Sequence, residues 1–413
     1  MSDKQIIRPI PGGVTAASGF EASGAYAEIK YKDRNDMALI FSKVPCMAAG
    51  VFTRNIVKAA PVIWDKNLID GGKQISAIII NAGIANACTG EKGLEYCKMT
   101  ADAASSVLGI ASSQVAVAST GVIGMQLPID KIVNGISLLG KAKGSTLEHG
   151  HTAACSIMTT DTRPKEIACQ FKIGGKVVTI GGMCKGSGMI HPDMCTMLCF
   201  ITSDVSISRE LLLEALRADV DDTFNMISVD GDTSTNDTVL LLANGLAGNP
   251  IISEKNEAYD IFSQALHYVM EELAKMIAGD GEGCTCLFEV EVKNASDKDS
   301  ARMLAKSVIT SSLTKAAIFG HDSNWGRIIC ALGYSGAHFD PHLVDITLKS
   351  DTGILNIVKD GVSTDYSEDF ATEILSQPHV IAICDMHNGT ESATAWGCDL
   401  TYEYVKINGD YRS

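Results

Sequence analysis

Aromatic residues are scarce in this chain: Phe, Trp and Tyr together make up 6% of its 413 residues, while glycine occurs 38 times. That balance leaves few large rigid side chains and favours tight backbone packing with many turns. No apolar run reaches the roughly 18 residues that a bilayer-spanning helix needs, so no membrane segment is expected. The N-terminal stretch MSDKQIIRPIPGG has no apolar core, so no secretory signal is expected either. Runs of Lys and Arg are missing as well, and the formal net charge is −15. A chain of that sign repels phosphate backbones, which argues against nucleic acid as a partner. Internal repeats and low-complexity linkers are also lacking. What remains is a soluble globular chain, expected in the cytoplasm and long enough for roughly two or three domains.

Cysteine, by contrast, is plentiful. Thirteen are present, an odd number at irregular spacing, several inside apolar runs such as TMLCFI and RIICAL. Free buried thiols in a reducing compartment fit this better than a disulfide framework.

Short β-branched runs alternate with helical periodicity along the chain. AEIKYK, MALIF, AAGVFT, SAIIINAG and QVAVAST read as strands, and GLEYCKMTADAASSVLG and PIDKIVNGISLLGKAKG as helices. IACQFKIGGKVVTIGGMCKGSGM reads as a hairpin about Gly174 and Gly175. Beyond residue 196, MLCFITSDV, DTVLLLANG and CLFEVEVKNA read as strands. RELLLEALRADVDDTFNMI and AYDIFSQALHYVMEELAKMIAG read as helices. A further helix begins near SDKDSARMLAKSVITSSL, with a capping box from Ser296 to Asp299. The C-terminal part, including DLTYEYVKIN, reads mostly as strand. The fold class is therefore mixed α/β (α+β).

Several motifs fail on spacing. Gly175-Lys176 is followed by Val177, not by the Ser or Thr of a phosphate loop, and GDGEG lacks the dinucleotide spacing. DGDTSTNDT has Thr235 and Leu241 where a calcium loop needs glycine and glutamate. EHGH (148–151) fits an exposed helix face better than a metal site. Cys284 and Cys286 have no matching second pair for zinc.

The stretch KGSGMIHPDMCTMLCF, from Lys185 to Phe200, is different. A glycine turn and Pro192 precede a lone threonine, Thr196. A threonine hydroxyl needs a neighbouring base before it can act as a nucleophile. If the chain is cut before Thr196, the new α-amine, which titrates near ~8 in a free peptide, supplies that base on the same residue. Taken alone, a threonine at the start of a strand remains the simpler account.

KGSGMIHPDMCTML, however, resembles the cleavage and nucleophile motif of the ornithine acetyltransferase (ArgJ) family, the bifunctional glutamate N-acetyltransferases of arginine biosynthesis. GVFTRNIVKAAPV, NAGIANACTG, STGVIG, MTTDTRPK, GDGEG, HDSNWGRI and the terminal NGDYRS follow in family order. The resemblance implies a two-domain, N-terminal-nucleophile-like αββα architecture. It implies self-cleavage between Cys195 and Thr196 into an α chain (1–195) and a β chain (196–413), joined as a heterotetramer of two of each. Thr196 would be the nucleophile, and Thr120 and Gly121 would form the oxyanion hole. Thr159, Lys185, Thr196, Glu282, Asn408 and Ser413 would contact substrate. The implied substrates are N-acetylornithine and glutamate, with acetyl-CoA as a further acetyl donor in bifunctional members. No metal or other cofactor is implied. Two positions depart from the family: Cys195 stands where alanine is usual, and Ser413 keeps the hydroxyl of the usual threonine without its methyl. A threonine-nucleophile amidase or aminopeptidase on the same scaffold, and a non-catalytic small-molecule binder, are the alternatives.

Overall fold

The computed structural model describes residues 7–191 and 197–410. Two compact units divide these residues. One takes 7–186, 197–221 and 233–273; the other takes 187–191, 222–232 and 274–410.

A mixed nine-stranded sheet organises the first unit. Its centre is built from the most apolar runs, as expected for strands covered on both faces. Ile75–Ile84, ISAIIINAGI, is buried at every position. So are Leu198–Ser203 and Thr238–Ala243. The hairpin Lys165–Ile173 and Lys176–Lys185 turns at Gly174-Gly175, both with positive φ. Leu198–Ser203 then runs antiparallel to Lys176–Lys185 and parallel to Thr238–Ala243, which pairs in turn with Met37–Phe52. Phe20, Ile40, Met183, Phe200, Leu240 and Leu242 meet in one core. A second core lies under the helices Glu91–Leu108 and Ile129–Ala142, around Leu39, Ile79, Val117 and Ile136.

The second unit holds a mixed seven-stranded sheet. Leu287–Ala295 lies between His379–Asp385, which is parallel to it, and Glu391–Cys398, which is antiparallel. Among the described residues, no helix is long and apolar enough to cross a membrane.

The mixed α/β class with two sheets is as expected, but several elements differ from the sequence reading. AEIKYK is a loop; the strand is Phe20–Ala25. The Asp36 carboxylate accepts the backbone N–H groups of Ala27 (2.8 Å) and Ile29 (2.7 Å), donors that a strand would need for its ladder. MALIF and AAGVFT are one 16-residue strand, Met37–Phe52. Its register with Ile75–Ile84 shifts between Phe41 and Cys46, where exposed Pro45 is accommodated at an irregularity. DLTYEYVKIN is not strand: Tyr402–Gly409 is a helix. Asp297, not Ser296, caps Lys298–Thr310, accepting from Ser300 N at 2.8 Å. EHGH does lie on a helix, Leu147–Ser156.

Candidate active site

Thr120 and Gly121 end the strand Val115–Val122, which pairs in parallel with Ile75–Ile84 so that Thr120 faces Ala82 and Gly121 faces Gly83. Both are half-buried. Gly121 has φ +125°, and a Cβ there would sit 2.3 Å from the carbonyl carbon and oxygen of Gly83. Only glycine meets both conditions. The residue before them, Ser119, is pinned: its Oγ accepts the Asn86 backbone N–H at 2.8 Å.

Lys185 ends the strand Lys176–Lys185, opposite Leu198 in the ladder. It is 7% exposed, and its Nζ lies 4.0 Å from Asp161 Oδ2. Asp161 is the organiser of this cluster. Its Oδ1 accepts from Lys165 Nζ at 2.6 Å and from the Gly186 backbone at 2.9 Å. Its Oδ2 accepts the backbone N–H of Thr159 at 3.1 Å. Burial alone would raise the Asp161 carboxyl, but Lys185 and Lys165 outweigh it and hold the group below the usual carboxylate range. Asp161 stays ionised and fixes the ammonium of Lys185 and the backbone of Thr159 together.

In the second unit, Glu282 is 7% exposed, and its Oε2 accepts from Asn408 Nδ2 at 2.7 Å. Asn408 Nδ2 also reaches Tyr404 O at 3.0 Å. A Cβ on Gly188 would lie 2.4 Å from Glu282 Oε2, so the glutamate carboxylate rests against the glycine backbone. The Glu282 backbone N–H in turn donates to Ser187 O at 3.2 Å. The Ser187–Ile190 segment is strained and tethered. Ser187 has φ +101° and Met189 φ +58°, both outside the usual region for non-glycine residues. Asp230 accepts the backbone N–H groups of Met189 (2.6 Å) and Ile190 (2.9 Å), and Tyr404 OH lies 3.3 Å from the same carboxylate. Burial first, and then the charge of Asp230, push the Tyr404 phenol above its ordinary value.

The structure thus joins Glu282 directly to Asn408, and Lys185 to Thr159 through Asp161. Thr120 and Gly121 stand at a strand end of their own. Cys195, Thr196 and Ser413 lie outside the described residues. Asp161, Lys165, Asp230 and Tyr404 were not singled out from the sequence. The MTTDTRPK block contained the signal for the first two. Asp230 opens the very run that fails as a calcium loop, and its work is to hold the segment just upstream of Pro192.

A mixed α/β protein of two sheets, with one buried lysine–aspartate cluster and one buried glutamate held by an exposed asparagine, is the class these features define. The chain belongs to the ArgJ family, which residues 21–413 match. It is 51% identical over 406 residues to the arginine biosynthesis bifunctional protein ArgJ of Symbiobacterium thermophilum, covering 98% of this chain and 99% of that one. The protein of the same description from Thermotoga neapolitana is 49% identical over 396 residues, covering 96% and 99%. Among solved structures, the arginine biosynthesis bifunctional protein argJ of Bacillus halodurans is 45% identical with a TM-score of 0.50; the match covers 52% of this chain and 99% of that chain.

Proposed function

We propose that this protein is a glutamate N-acetyltransferase of arginine biosynthesis that moves an acetyl group from N-acetylornithine to glutamate. The observation that carries this reading is its relation to the bifunctional ArgJ proteins, about half identical from end to end. The buried charges support an amino-acid substrate: Lys185 offers an ammonium to a carboxylate, and Glu282 offers a carboxylate to an amine. These are the two groups that ornithine and glutamate share.

In this reading the chain cuts itself between Cys195 and Thr196, giving 1–195 and 196–413. The Bacillus halodurans chain, matched over 99% of its length by 52% of this one, is about half as long, which is the length of a processed fragment. Thr196 Oγ attacks the acetamide carbon of N-acetylornithine while its own α-amine takes the hydroxyl proton. Thr120 and the Gly121 backbone N–H stabilise the oxyanion. The C–N bond breaks, the amine leaves as ornithine with that proton, and acetyl stays on Thr196. Glutamate enters and its amine takes the acetyl group. Thr159, Asn408 and Ser413 complete the substrate contacts. The reaction uses only groups of the chain, with neither metal nor cofactor, and acetyl-CoA is a second acetyl donor. The processed protein is a cytoplasmic heterotetramer of two α and two β chains.

The test pairs denatured mass and N-terminal sequencing with an acetyl-transfer assay. Two fragments are expected, the second beginning Thr-Met-Leu-Cys-Phe, with N-acetylglutamate formed only when glutamate is present. Thr196→Ala protein should stay uncut and inactive. Normal turnover by that variant would sink the mechanism, and free acetate without glutamate would make the protein an amidase.

A further inference from the structure

The second unit contains a pair of thiols that the proposed reaction does not use. Cys398 ends the strand Glu391–Cys398, and Cys284 follows the Gly279–Gly283 turn. Their juxtaposition is fixed by their neighbours. Asp399 accepts the Thr285 backbone N–H (2.9 Å), the Thr285 hydroxyl (2.6 Å) and the Cys286 backbone N–H (3.2 Å). The residue after each cysteine is therefore tied to the residue after the other, which brings the two side chains into one neighbourhood. Cys398 is buried at 2% exposure, whereas Cys284 is partly open to solvent.

A third group sets this pair apart. Lys315, 4% exposed, places its Nζ 3.7 Å from Cys398 Sγ and donates to the Cys398 carbonyl oxygen. Buried ammonium groups are costly unless they meet negative charge, and here one faces a sulfur. The neighbouring Cys284 thiol first, and then Lys315 against the opposing effect of burial, lower the Cys398 thiol below its ordinary value. At Cys46, Cys169 and Cys384 burial dominates instead and pushes each thiol up to about 12.

The pair also sits under the substrate turn. A Cβ on Gly281 would lie 2.8 Å from Cys398 Sγ, so the backbone directly before Glu282 rests on that sulfur. The Cys284 backbone N–H donates back to Gly281 O at 3.0 Å. Any change in the sulfur positions is transmitted to the turn carrying Glu282.

We propose that Cys284 and Cys398 are a modification site, a dithiol that hydrogen peroxide converts reversibly to a disulfide, displacing the Gly281–Gly283 turn. One sulfur, as thiolate, attacks a peroxide oxygen; the O–O bond breaks, water leaves, and a sulfenic acid forms. The second sulfur attacks the first, the S–O bond breaks and a second water leaves. Two thiols and one peroxide give one disulfide and two waters. Lys315 stabilises the negative charge while the protons depart. A dithiol reductant reverses the step. The effect on catalysis rests on the role of Glu282 proposed above; disulfide formation does not.

The experiment treats the purified, reduced protein with hydrogen peroxide, blocks remaining thiols, and maps the peptides by mass while following acetyl transfer. A Cys284–Cys398 cross-linked peptide should form. Acetyl transfer should fall by about tenfold or more, in keeping with the cost of small misplacements at a site, and dithiothreitol should restore it. Cys284→Ser protein should resist the treatment, as should Cys398→Ala protein if the buried substitution is tolerated. Absence of the cross-link, or equal loss of activity in the Cys284→Ser protein, overturns the proposal. A protein that forms the cross-link yet never transfers acetyl refutes the acetyltransferase reading and leaves the dithiol standing.

Discussion

Gly121 shows how one residue can be fixed by two independent constraints. Its φ of +125° excludes side chains, and the Gly83 backbone fills the space where a Cβ would go. Gly121→Ala must move one strand against the other and so redirect the N–H that the proposed mechanism aims at the oxyanion. Loss of one such donor typically costs about 10²–10³ in rate. Steady-state kinetics on Gly121→Ala should show kcat reduced by about that factor with KM little changed; an unchanged kcat would remove Gly121 from the oxyanion hole. Asp161 illustrates the complementary case, a residue whose importance is invisible in isolation. A carboxylate in a threonine-rich run reads as a turn. Only the fold brings Lys165, Lys185, Thr159 and Gly186 around it.

At the scale of elements, the C-terminal helix Tyr402–Gly409 carries the clearest lesson. Alternation in TYEYVKIN has the period of a strand, yet capping decides the outcome. Thr401 Oγ1 accepts the Tyr404 N–H at 3.3 Å and donates to Gly283 O at 2.7 Å, while Gly283, at φ +68°, leaves room for the helix start. The result is that Asn408, two turns on, reaches Glu282. Thr401→Ala loses the cap and the bond to Gly283, and should cost about 1 kcal/mol or somewhat more. Urea unfolding should show a lower midpoint with the same slope. Acetyl transfer should weaken in KM for the amine-bearing substrate, because Asn408 no longer holds Glu282. The strand Phe20–Ala25 departs from the sequence reading for a similar reason: a local carboxylate, Asp36, takes donors that periodicity assigns to a ladder.

For the whole molecule, the proposed cut has a topological consequence. Leu198–Ser203, on the far side of the cut, pairs with Lys176–Lys185 on the near side and with Thr238–Ala243. Thr238–Ala243 then pairs with Met37–Phe52. Both fragments share this sheet and its core, so neither can complete that core alone. The cut protein should elute from a sizing column as one species in native buffer and separate only in denaturant; fragments that part in native buffer would contradict this. Acid and base tolerance carry a second prediction. His267 bridges Asp219 (2.6 Å) and Glu271 (3.4 Å), and those two bonds raise it from 6.5 to about 10. A raised folded-state pKa means the stabilisation is full below about 6.5, where the unfolded histidine is also charged, and is lost as pH climbs through about 10. His267→Gln should therefore lower the melting temperature most below about pH 6.5, with the gap closing towards about pH 10. A gap independent of pH would show that the ion pairs do not stabilise the fold.

The sequence by itself determined the fold class, the long apolar strands and the longest helices, since hydrophobic periodicity and β-branched runs need no tertiary context. It also determined the order of motif blocks that marks the family and, through them, pointed to Glu282 and Asn408, which the fold joins. Tertiary structure alone decided where local signals compete: one strand in place of two across Pro45, a helix where alternation suggested a strand, and the cap at Asp297. It alone gathered two lysines around Asp161, hung the strained Ser187–Ile190 segment from Asp230, and set Lys315 beside Cys398. These contacts depend on how the chain folds back on itself, and they are fixed by burial and by the need of every buried polar group for a partner. No local pattern encodes them.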